Sequence, residues 1–179
     1  MRTSYRDNNY GQLFTAIVKT YRPRTVVEFG CLDGYSTLGF LRGLEANGQP
    51  YSFKVFDLFE DYPYKHPKFQ VIKKRFPKAK VLKGDYYAAA KMFEKESIDL
   101  LHIDISNTGQ TYQVFLDQYY PLLKKGGVAI LEGGSKERDN CDWMVKYKRP
   151  KIQAVLKKLK PRFSFIVVER YPSVTIFTK

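Results

Sequence analysis

A short apolar run near the start of the sequence leads into a turn that contains two glycines. Residues 26–27 are valines, Glu28 follows them, and Gly30 and Gly34 stand with three residues in between. Gly30 permits a tight turn, and Gly34 lets backbone approach a ligand without an intervening Cβ. Ser36 is predicted to cap the following helix, whose first N–H groups favour a polar or anionic ligand. Strand, turn and helix start together predict a nucleotide-type cofactor site at the carboxyl edge of a parallel sheet.

Acidic residues follow the other predicted parallel strands at the points where those strands end. Asp57 lies 23 residues after Gly34, close to the ~20 residues expected for a carboxylate that binds ribose hydroxyls beside a glycine turn. An aspartate that only caps the next loop would look the same, and Asp85 is equally well explained as a helix cap. Asp104 and Glu132 end two later strands, so they are candidates to meet a ligand at the same edge.

The periodicity of apolar residues predicts an alternation of helices and strands. The predicted helices cover residues 11–20, 36–46, 67–76, 88–93, 108–123 and 150–159. The predicted strands cover residues 26–27, 51–56, 80–83, 98–103, 128–131, 163–168 and 174–178, with a polar loop over 135–149. Five β–α units followed by an antiparallel hairpin predict a three-layer α/β sandwich in a single domain over residues 1–179. His102, on the fourth strand, is interpreted as a hydrogen-bonded core residue.

The composition indicates a globular chain with unevenly distributed positive charge. The net charge is +13; residues 65–83 carry eight Lys or Arg and no acid, and residues 136–170 carry eleven against four acids. Such stretches attract nucleic acid, anionic sugars or a phosphorylated substrate, or they are solvated helix faces, which we favour. No apolar run approaches the ~20 residues that span a bilayer, and no signal-peptide core is present, so a cytoplasmic protein is expected. Cys31 and Cys141 form no metal-ligand pattern.

Four segments of the sequence resemble motifs of one enzyme family. They are Val27-Glu-Phe-Gly-Cys-Leu-Asp-Gly-Tyr-Ser-Thr37, Asp99-Leu-Leu-His-Ile-Asp104, Leu123-Lys-Lys-Gly-Gly127 and Ser135-Lys-Glu-Arg-Asp-Asn-Cys-Asp-Trp143. In this order they resemble the small family called methyltransferase domain 24, within the class I methyltransferases that use S-adenosylmethionine (SAM). The resemblance implies a Rossmann-like methyltransferase sandwich with a seven-stranded, mostly parallel sheet and a C-terminal antiparallel hairpin. It implies an N-terminal segment and helix over residues 1–24 and a Rossmann-like core over residues 25–179.

The resemblance also implies that SAM is the cofactor and S-adenosylhomocysteine (SAH) the product. The amino-acid and ribose end of SAM would meet the glycine turn, Asp57 would hold the ribose hydroxyls, and Asp104 would lie near the reacting methyl group. The adenine would meet Leu58, Asp85 and Tyr86. The residues assigned to the cofactor are Glu28, Gly30, Cys31, Leu32, Gly34, Ser36, Asp57, Leu58, Asp85, Tyr86 and Asp104.

Two segments depart from the family pattern where metal binding is concerned. Related catechol-type O-methyltransferases bind a divalent cation through acids after the fourth and fifth strands. Here those positions read Asp104-Ile-Ser-Asn107 and Glu132-Gly-Gly134, which leaves Asp104, Asn107 and Glu132 as oxygen ligands. We therefore predict a metal-independent enzyme with no metal ligand assigned, although an oxygen-ligand site stays open. The usual histidine base is missing too, so Asp104 and Glu132 are the candidates to orient or deprotonate the acceptor hydroxyl. The alternative is that Asp104 only binds SAM and Glu132 only caps a loop.

Loops must recognise the acceptor, because the sequence has no separate substrate domain. The predicted pocket draws on residues 1–10, 59–66, 105–112 and 132–149. Its aromatic residues either stack on a sugar or planar ring or only pack within the loops; they are Tyr5, Tyr10, Tyr62, Tyr64, Tyr112 and Trp143. A small hydroxylated metabolite or saccharide fits the resemblance best. A homodimer is left open, and no membrane partner is expected.

Two other functions stay open at this point. An RNA or DNA methyltransferase would use the basic stretches, but these fall toward opposite edges of the predicted sheet. No Asn/Asp-Pro-Pro-Tyr motif follows the fourth strand either. The second alternative is a non-catalytic SAM-binding partner subunit. A dinucleotide-binding oxidoreductase is disfavoured, because the third glycine of its motif is missing.

Overall fold

The computed structural model of the chain describes residues 3–60, 66–159 and 163–179. The strands are Thr25–Phe29 (β1), Ser52–Asp57 (β2), Lys80–Lys83 (β3), Ile98–Ile103 (β4), Leu123–Glu132 (β5), Ser164–Val168 (β6) and Val174–Thr178 (β7). They form one sheet in the order β3-β2-β1-β4-β5-β7-β6. β7 is antiparallel to β5 and β6, whereas the pairs β1–β2, β2–β3 and β4–β5 are parallel. The predicted mostly parallel, seven-stranded α/β sheet with a C-terminal antiparallel hairpin is therefore confirmed.

Helices connect most of these strands. They are Tyr10–Tyr21 (α1), Tyr35–Asn47 (α2), Phe69–Arg75 (α3), Tyr86–Ala89 (α4), Gly109–Val114 (α5), Lys136–Asp139 (α6), Asp142–Lys146 (α7) and Ile152–Leu159 (α8). In the part of the chain that the structure describes, no helix is both long enough and apolar enough to cross a bilayer. The chain divides into two compact units, residues 1–91 and 92–179. The single domain over residues 1–179 stays a prediction.

In the first unit, α1 and α2 pack closely because a glycine lies at their contact. A Cβ added to Gly43 would come within 2.6 Å of the Val18 Cβ. The rings of Phe14 and Phe40 stack with their centroids 5.0 Å apart, and both side chains are fully buried. This aromatic contact stabilises the helix pair that precedes and follows β1.

In the second unit, β4 is an almost continuous apolar strand, as expected for a strand covered on both faces. His102 is fully buried within it, which agrees with its interpretation as a core residue. On β7, Phe177 packs against Phe115 and Phe165, with ring centroids 4.9 and 5.2 Å apart. The hairpin is thereby anchored to the helical segment that precedes β5.

One strand begins earlier than the sequence pattern predicts. The Gly126-Gly127 pair indicates a turn before residue 128, yet β5 starts at Leu123 and passes through both glycines. Gly126 has a φ of +78°, and a Cβ on Gly127 would come within 2.8 Å of the Lys124 carbonyl oxygen. The glycines therefore permit an irregular strand rather than a turn. As a consequence, the helix predicted over 108–123 is only α5, followed by a π-helical turn at Phe115–Tyr119 and a 3-10 turn at Tyr120–Leu122.

Two smaller differences concern the region after β5. The loop predicted over residues 135–149 contains the short helices α6 and α7. The helix predicted over 150–159 begins at Ile152. The start of α8 is fixed by a side chain from α6, described below, and a periodicity argument does not include such contacts.

Candidate functional site

The glycine turn of the first unit is held between the ends of β1 and β2. Phe29 pairs with Phe56 across the two strands, and the Gly30 N–H donates to the Phe56 carbonyl at 2.8 Å. Gly34, with a φ of +82°, occupies the position before the first residue of α2. Ser36 lies inside the first turn of α2 and is buried, so its predicted role as the helix cap is wrong.

The space that the missing Cβ of Gly34 leaves is filled by an aromatic ring. A Cβ at Gly34 would lie 2.1 Å from an atom of the Phe76 ring. The glycine is therefore required by its positive φ and by the packing of Phe76. Phe76 follows α3 and is buried, and no sequence pattern predicts its contact with the turn.

The Asp57 carboxylate is bonded directly to the glycine turn. Its Oδ2 accepts the N–H groups of Cys31 at 2.8 Å and Leu32 at 3.3 Å, while Oδ1 accepts the Phe59 N–H at 3.0 Å. His66 Nε2 lies 3.2 Å from Oδ2. The Asp57 side chain is 12% exposed. A carboxylate oxygen accepts about two hydrogen bonds. Oδ1 accepts one here, so it can accept a further hydrogen bond from a ligand hydroxyl more readily than Oδ2.

Two buried groups support the turn from the end of β1. Glu28 is fully buried, and its Oε2 accepts the Thr37 hydroxyl at 2.6 Å. Burial raises the pKa of the Cys31 thiol far above its ordinary value, and the nearby carboxylates of Asp57 and Glu28 raise it further. The thiol is therefore protonated and unreactive at neutral pH. Cys31 contributes a small side chain and a backbone N–H to the turn.

The remaining residues assigned to the adenine have unequal access to a ligand. Leu58 directly follows β2 and is 42% exposed, so its side chain is available to a planar ring. Asp85 precedes α4, and its Oδ1 accepts the Tyr87 N–H at 3.0 Å, which is the helix-cap interpretation. Tyr86 is buried, with its ring edge-on to Phe29 at 5.3 Å between centroids. Tyr86 thus belongs to the core of the first unit.

In the second unit, an arginine binds both carboxylate oxygens of Glu132. Arg138 donates from Nε to Oε1, and from Nη2 to Oε2 at 2.9 Å. Burial raises the pKa of Glu132, while the hydrogen bond and positive charge of Arg138 oppose that rise. Arg138 is only 4% exposed, and its guanidinium lies 4.8 Å from the ring centroid of Trp143. Sequence reasoning missed Arg138, because it is one of many basic residues in this region.

Asn107 connects the ends of β4 and β5. Its Nδ2 donates to the backbone carbonyl oxygens of Ile103 and Glu132, each at 2.9 Å. The backbone carbonyl oxygen of Asn107 accepts a hydrogen bond from Arg138 Nη2 at 3.0 Å. Asp104 directly follows β4 and is half-buried. Because Ile103 pairs with Leu131, Asp104 and Glu132 follow paired positions at the same end of the two strands.

This arrangement does not fit a divalent cation. Such an ion needs several oxygen ligands, but the guanidinium of Arg138 binds both Glu132 oxygens, and its positive charge would repel the ion. The Asn107 oxygen Oδ1 lies 3.3 Å from the Ile105 N–H. Within residues 3–60, 66–159 and 163–179, no group of three His, Cys, Asp or Glu side chains could hold a metal ion.

Several aromatic residues predicted to stack on the acceptor are core residues instead. Tyr5, Tyr10 and Tyr112 are buried, so the predicted stacking on a ligand is wrong for these three. Tyr112 donates its hydroxyl to Thr175 Oγ1 at 3.0 Å. Trp143 is half-buried against Arg138. The predictions for Tyr62 and Tyr64, and for most of the loop over 59–66, lie outside the described residues.

Comparison with protein families finds a match over most of this region. The model of the family described as "Methyltransferase domain" matches residues 27–132, more than half of the chain. The matched range includes the glycine turn and the acids at the ends of β2, β4 and β5. A search of curated proteins finds no match.

Solved structures share the fold at low sequence identity. The O-methyltransferase from Bacillus cereus in complex with SAH is 18% identical, with a TM-score of 0.70 over 96% of this chain and 81% of that one. The O-methyltransferase TomG from Streptomyces achromogenes, involved in tomaymycin synthesis and crystallised with SAM, is 15% identical, with a TM-score of 0.67 over 98% and 85%. The SAH-bound methyltransferase PaMTH1 from Podospora anserina is 18% identical, with a TM-score of 0.64 over 93% and 76%.

Proposed function

The chain belongs to the methyltransferase-domain family of class I enzymes, and on that premise we propose that it transfers a methyl group from SAM to a hydroxyl of a small acceptor without using a divalent cation. Similar structures contain SAM or SAH, which supports SAM as the donor and SAH as the product. Acids at the strand ends suit the sulfonium and α-amino groups of SAM electrostatically.

The observation that carries the proposal is the Asp57 carboxylate bonded to the glycine turn. Its contact with the Cys31 and Leu32 N–H groups supports a site in which a ribose lies against the turn and gives its hydroxyls to Oδ1. The exposed Leu58 would pack on the adenine, and the buried Glu28 brings a negative charge to the end of β1. Tyr86 and Asp85 would support this site through core packing and helix capping rather than by direct contact.

Bound SAM supplies an electrophilic methyl group, which passes from sulfur to the acceptor oxygen. The protein's main task is then to align the acceptor and to exclude water. Asp104, half-buried after β4, is our choice to orient the acceptor hydroxyl and accept its proton. Glu132 was the other predicted acid, but its oxygens are engaged by Arg138. We therefore assign Glu132 a positioning role through that pair.

The absence of a cation requirement is supported by the same ion pair. In catechol-type relatives a divalent ion orients the acceptor. In this chain the guanidinium of Arg138 binds Glu132, the acid that would hold such an ion. The Asn107 side-chain amide donates its hydrogen bonds to backbone carbonyl oxygens of two strands. The acceptor must then be oriented by Asp104 and by the shape of the site.

Calorimetric titration with SAM and SAH, with NAD as the control ligand, tests the donor. We expect wild type to bind both SAM ligands and Asp57→Ala to bind them at least tenfold more weakly. If neither SAM nor SAH binds to the folded wild type, the proposed function is wrong.

Transfer of labelled methyl groups to saccharide, catechol and RNA panels tests the acceptor. We expect label in a small hydroxylated acceptor, at equal rates in EDTA and in Mg²⁺. Activity that EDTA abolishes and Mg²⁺ restores would contradict the metal-free part of the proposal. Label found in RNA alone would support the nucleic-acid alternative.

A further inference from the structure

A hollow of about 240 Å³ opens on the second unit beside α6 and the start of α8. We call it the lysine cleft; its lining residues are Lys136, Asp139, Asn140, Lys151, Gln153 and Lys157. Pockets that enclose a drug-sized ligand usually measure ~300–1,000 Å³. The lysine cleft is smaller, so it suits one charged group at the end of a ligand rather than a whole molecule.

The carboxylate in the wall of the lysine cleft, that of Asp139, accepts hydrogen bonds from the backbone. Asp139 Oδ1 accepts the Ile152 N–H and Oδ2 accepts the Gln153 N–H, both at 2.8 Å, so Asp139 caps the first turn of α8. Asp139 is buried, whereas the three lysines are exposed. The cleft therefore presents mainly three ammonium groups to solvent.

Within the described part of the chain, these ammonium groups have no acidic partner. Lys151 Nζ donates to the neutral amide oxygen of Asn140 at 3.2 Å. Among the residues that the structure describes, no carboxylate forms an ion pair with any of the three lysines. Three like charges around one hollow repel each other, and an anion between them relieves that repulsion. Lysine binds phosphate as a point charge, so three ammonium groups around one hollow suit a compact anion with several oxygens.

The lysine cleft adjoins the carboxyl end of β5. Asp139 directly follows Arg138, which binds Glu132 at that strand end. Gln153, also in the cleft wall, donates from Nε2 to the Gly134 carbonyl oxygen. One wall of the cleft therefore adjoins Gly134, two residues beyond the end of β5, and a ligand whose charged group lies in the cleft can extend toward that segment.

We propose that the lysine cleft binds a phosphoryl group of the methyl acceptor. The acceptor is then a small phosphate monoester with a hydroxyl group, such as a sugar phosphate. The acceptor role rests on the proposed function, but the binding of phosphate does not depend on it. The positive charge of residues 136–170 thus has a specific use at three of its lysines.

Calorimetric or NMR titration with inorganic phosphate and glucose 6-phosphate, with glucose as the neutral control, tests the proposal. The cleft variant is Lys136→Gln/Lys151→Gln/Lys157→Gln. The matched control is Lys91→Gln/Lys95→Gln/Lys125→Gln, which removes the same charge from exposed lysines outside the cleft. We expect wild type and the control to bind both phosphates within about twofold of each other, and the cleft variant to bind at least about tenfold more weakly.

Three outcomes would overturn the proposal: no phosphate binding by wild type, equal loss in both triple variants, or tighter binding of an RNA oligonucleotide that the same cleft variant abolishes. SAM titration on the same proteins separates this inference from the proposed function. Phosphate binding without SAM binding means that the cleft stands while the methyltransferase proposal fails. SAM binding without phosphate binding means that the cleft proposal fails, while the proposed function is not contradicted.

Discussion

Asp57 in the first unit and Glu132 in the second are each the last residue of a parallel strand, but their charges are compensated differently. Asp57 accepts backbone N–H groups of the glycine turn and of Phe59, which carry no net charge, and its Oδ2 lies 3.2 Å from His66 Nε2. Glu132 is bound by the guanidinium of Arg138, which cancels its charge. In the first unit, the acid at the strand end therefore keeps a negative charge that can attract a ligand. In the second unit, the acid at the same position is part of an internal ion pair.

The largest effect is expected when the pair in the second unit is broken. Arg138→Met leaves the Glu132 carboxylate buried without its partner, so we expect the free energy of unfolding to fall by about 3–5 kcal/mol. Urea unfolding monitored by circular dichroism measures the change. The double variant Glu132→Leu/Arg138→Met, which buries no charge, should regain most of the loss. A single variant within about 1 kcal/mol of wild type would show that the pair is not a buried ion pair in solution.

A smaller loss of stability is expected in the first unit, together with a loss of binding. Asp57→Ala removes the acceptor for the Cys31 and Leu32 N–H groups, so we expect unfolding to become easier by about 2–3 kcal/mol and SAM to bind at least tenfold more weakly. Asp117→Ala, at an exposed acid that bonds only Gln113 among the described residues, is the control and should change neither. Asp57→Ala with unaltered SAM affinity would refute the ligand-facing role of this acid.

The burial of the Cys31 thiol, together with the nearby carboxylates of Asp57 and Glu28, raises its pKa and predicts a pH dependence of stability. The folded-state pKa of this thiol is raised far above its ordinary value, so the folded protein keeps the proton while the unfolded chain releases it above pH ~8.5. The stabilisation is complete below that pH and decreases as pH rises, by about 2 kcal/mol between pH 8 and 10. Urea unfolding of wild type and Cys31→Ala at both pH values measures the difference. Identical pH slopes would contradict the placement of the thiol beside Asp57 and Glu28.

The smallest effect is expected from divalent cations. Because Arg138 already compensates Glu132, Mg²⁺ or Mn²⁺ at a few millimolar should shift the melting temperature of wild type by less than about 1 °C. Thermal unfolding with and without the ions, and with EDTA as the reference, measures this. A clear stabilisation by either ion would mean that Glu132 is available to bind a metal ion despite its pairing with Arg138.

The sequence predicted the bounds of three strands correctly. They are β3, β4 and β7, at residues 80–83, 98–103 and 174–178, where a short segment containing apolar residues is clearly separated from its neighbours. β5 was misjudged because Gly126 and Gly127 are typical of turns, and only the crowded backbone around them shows that they belong to an irregular strand. Local propensity does not report such close approaches.

The candidate site was predictable where it depends on spacing and unpredictable where it depends on side-chain packing. The 23-residue spacing from Gly34 to Asp57 predicts a ribose-binding carboxylate beside the turn; hydrogen bonds to Cys31 and Leu32 place Asp57 there, and its binding of ribose stays a prediction. The pairing of Glu132 with Arg138 depends on how α6 folds back after β5. The pattern of aromatic residues also did not distinguish Tyr112, a core residue, from one that lines a site.

The amide of Asn107 has a consequence for ligand entry. Both of its N–H groups are used on carbonyl oxygens from two different strands, each at 2.9 Å, so it acts as a spacer of fixed length between the ends of β4 and β5. The conformational entropy of this edge is therefore lost during folding rather than during binding. An acceptor docked there, as proposed, would meet a wall that is already ordered before binding.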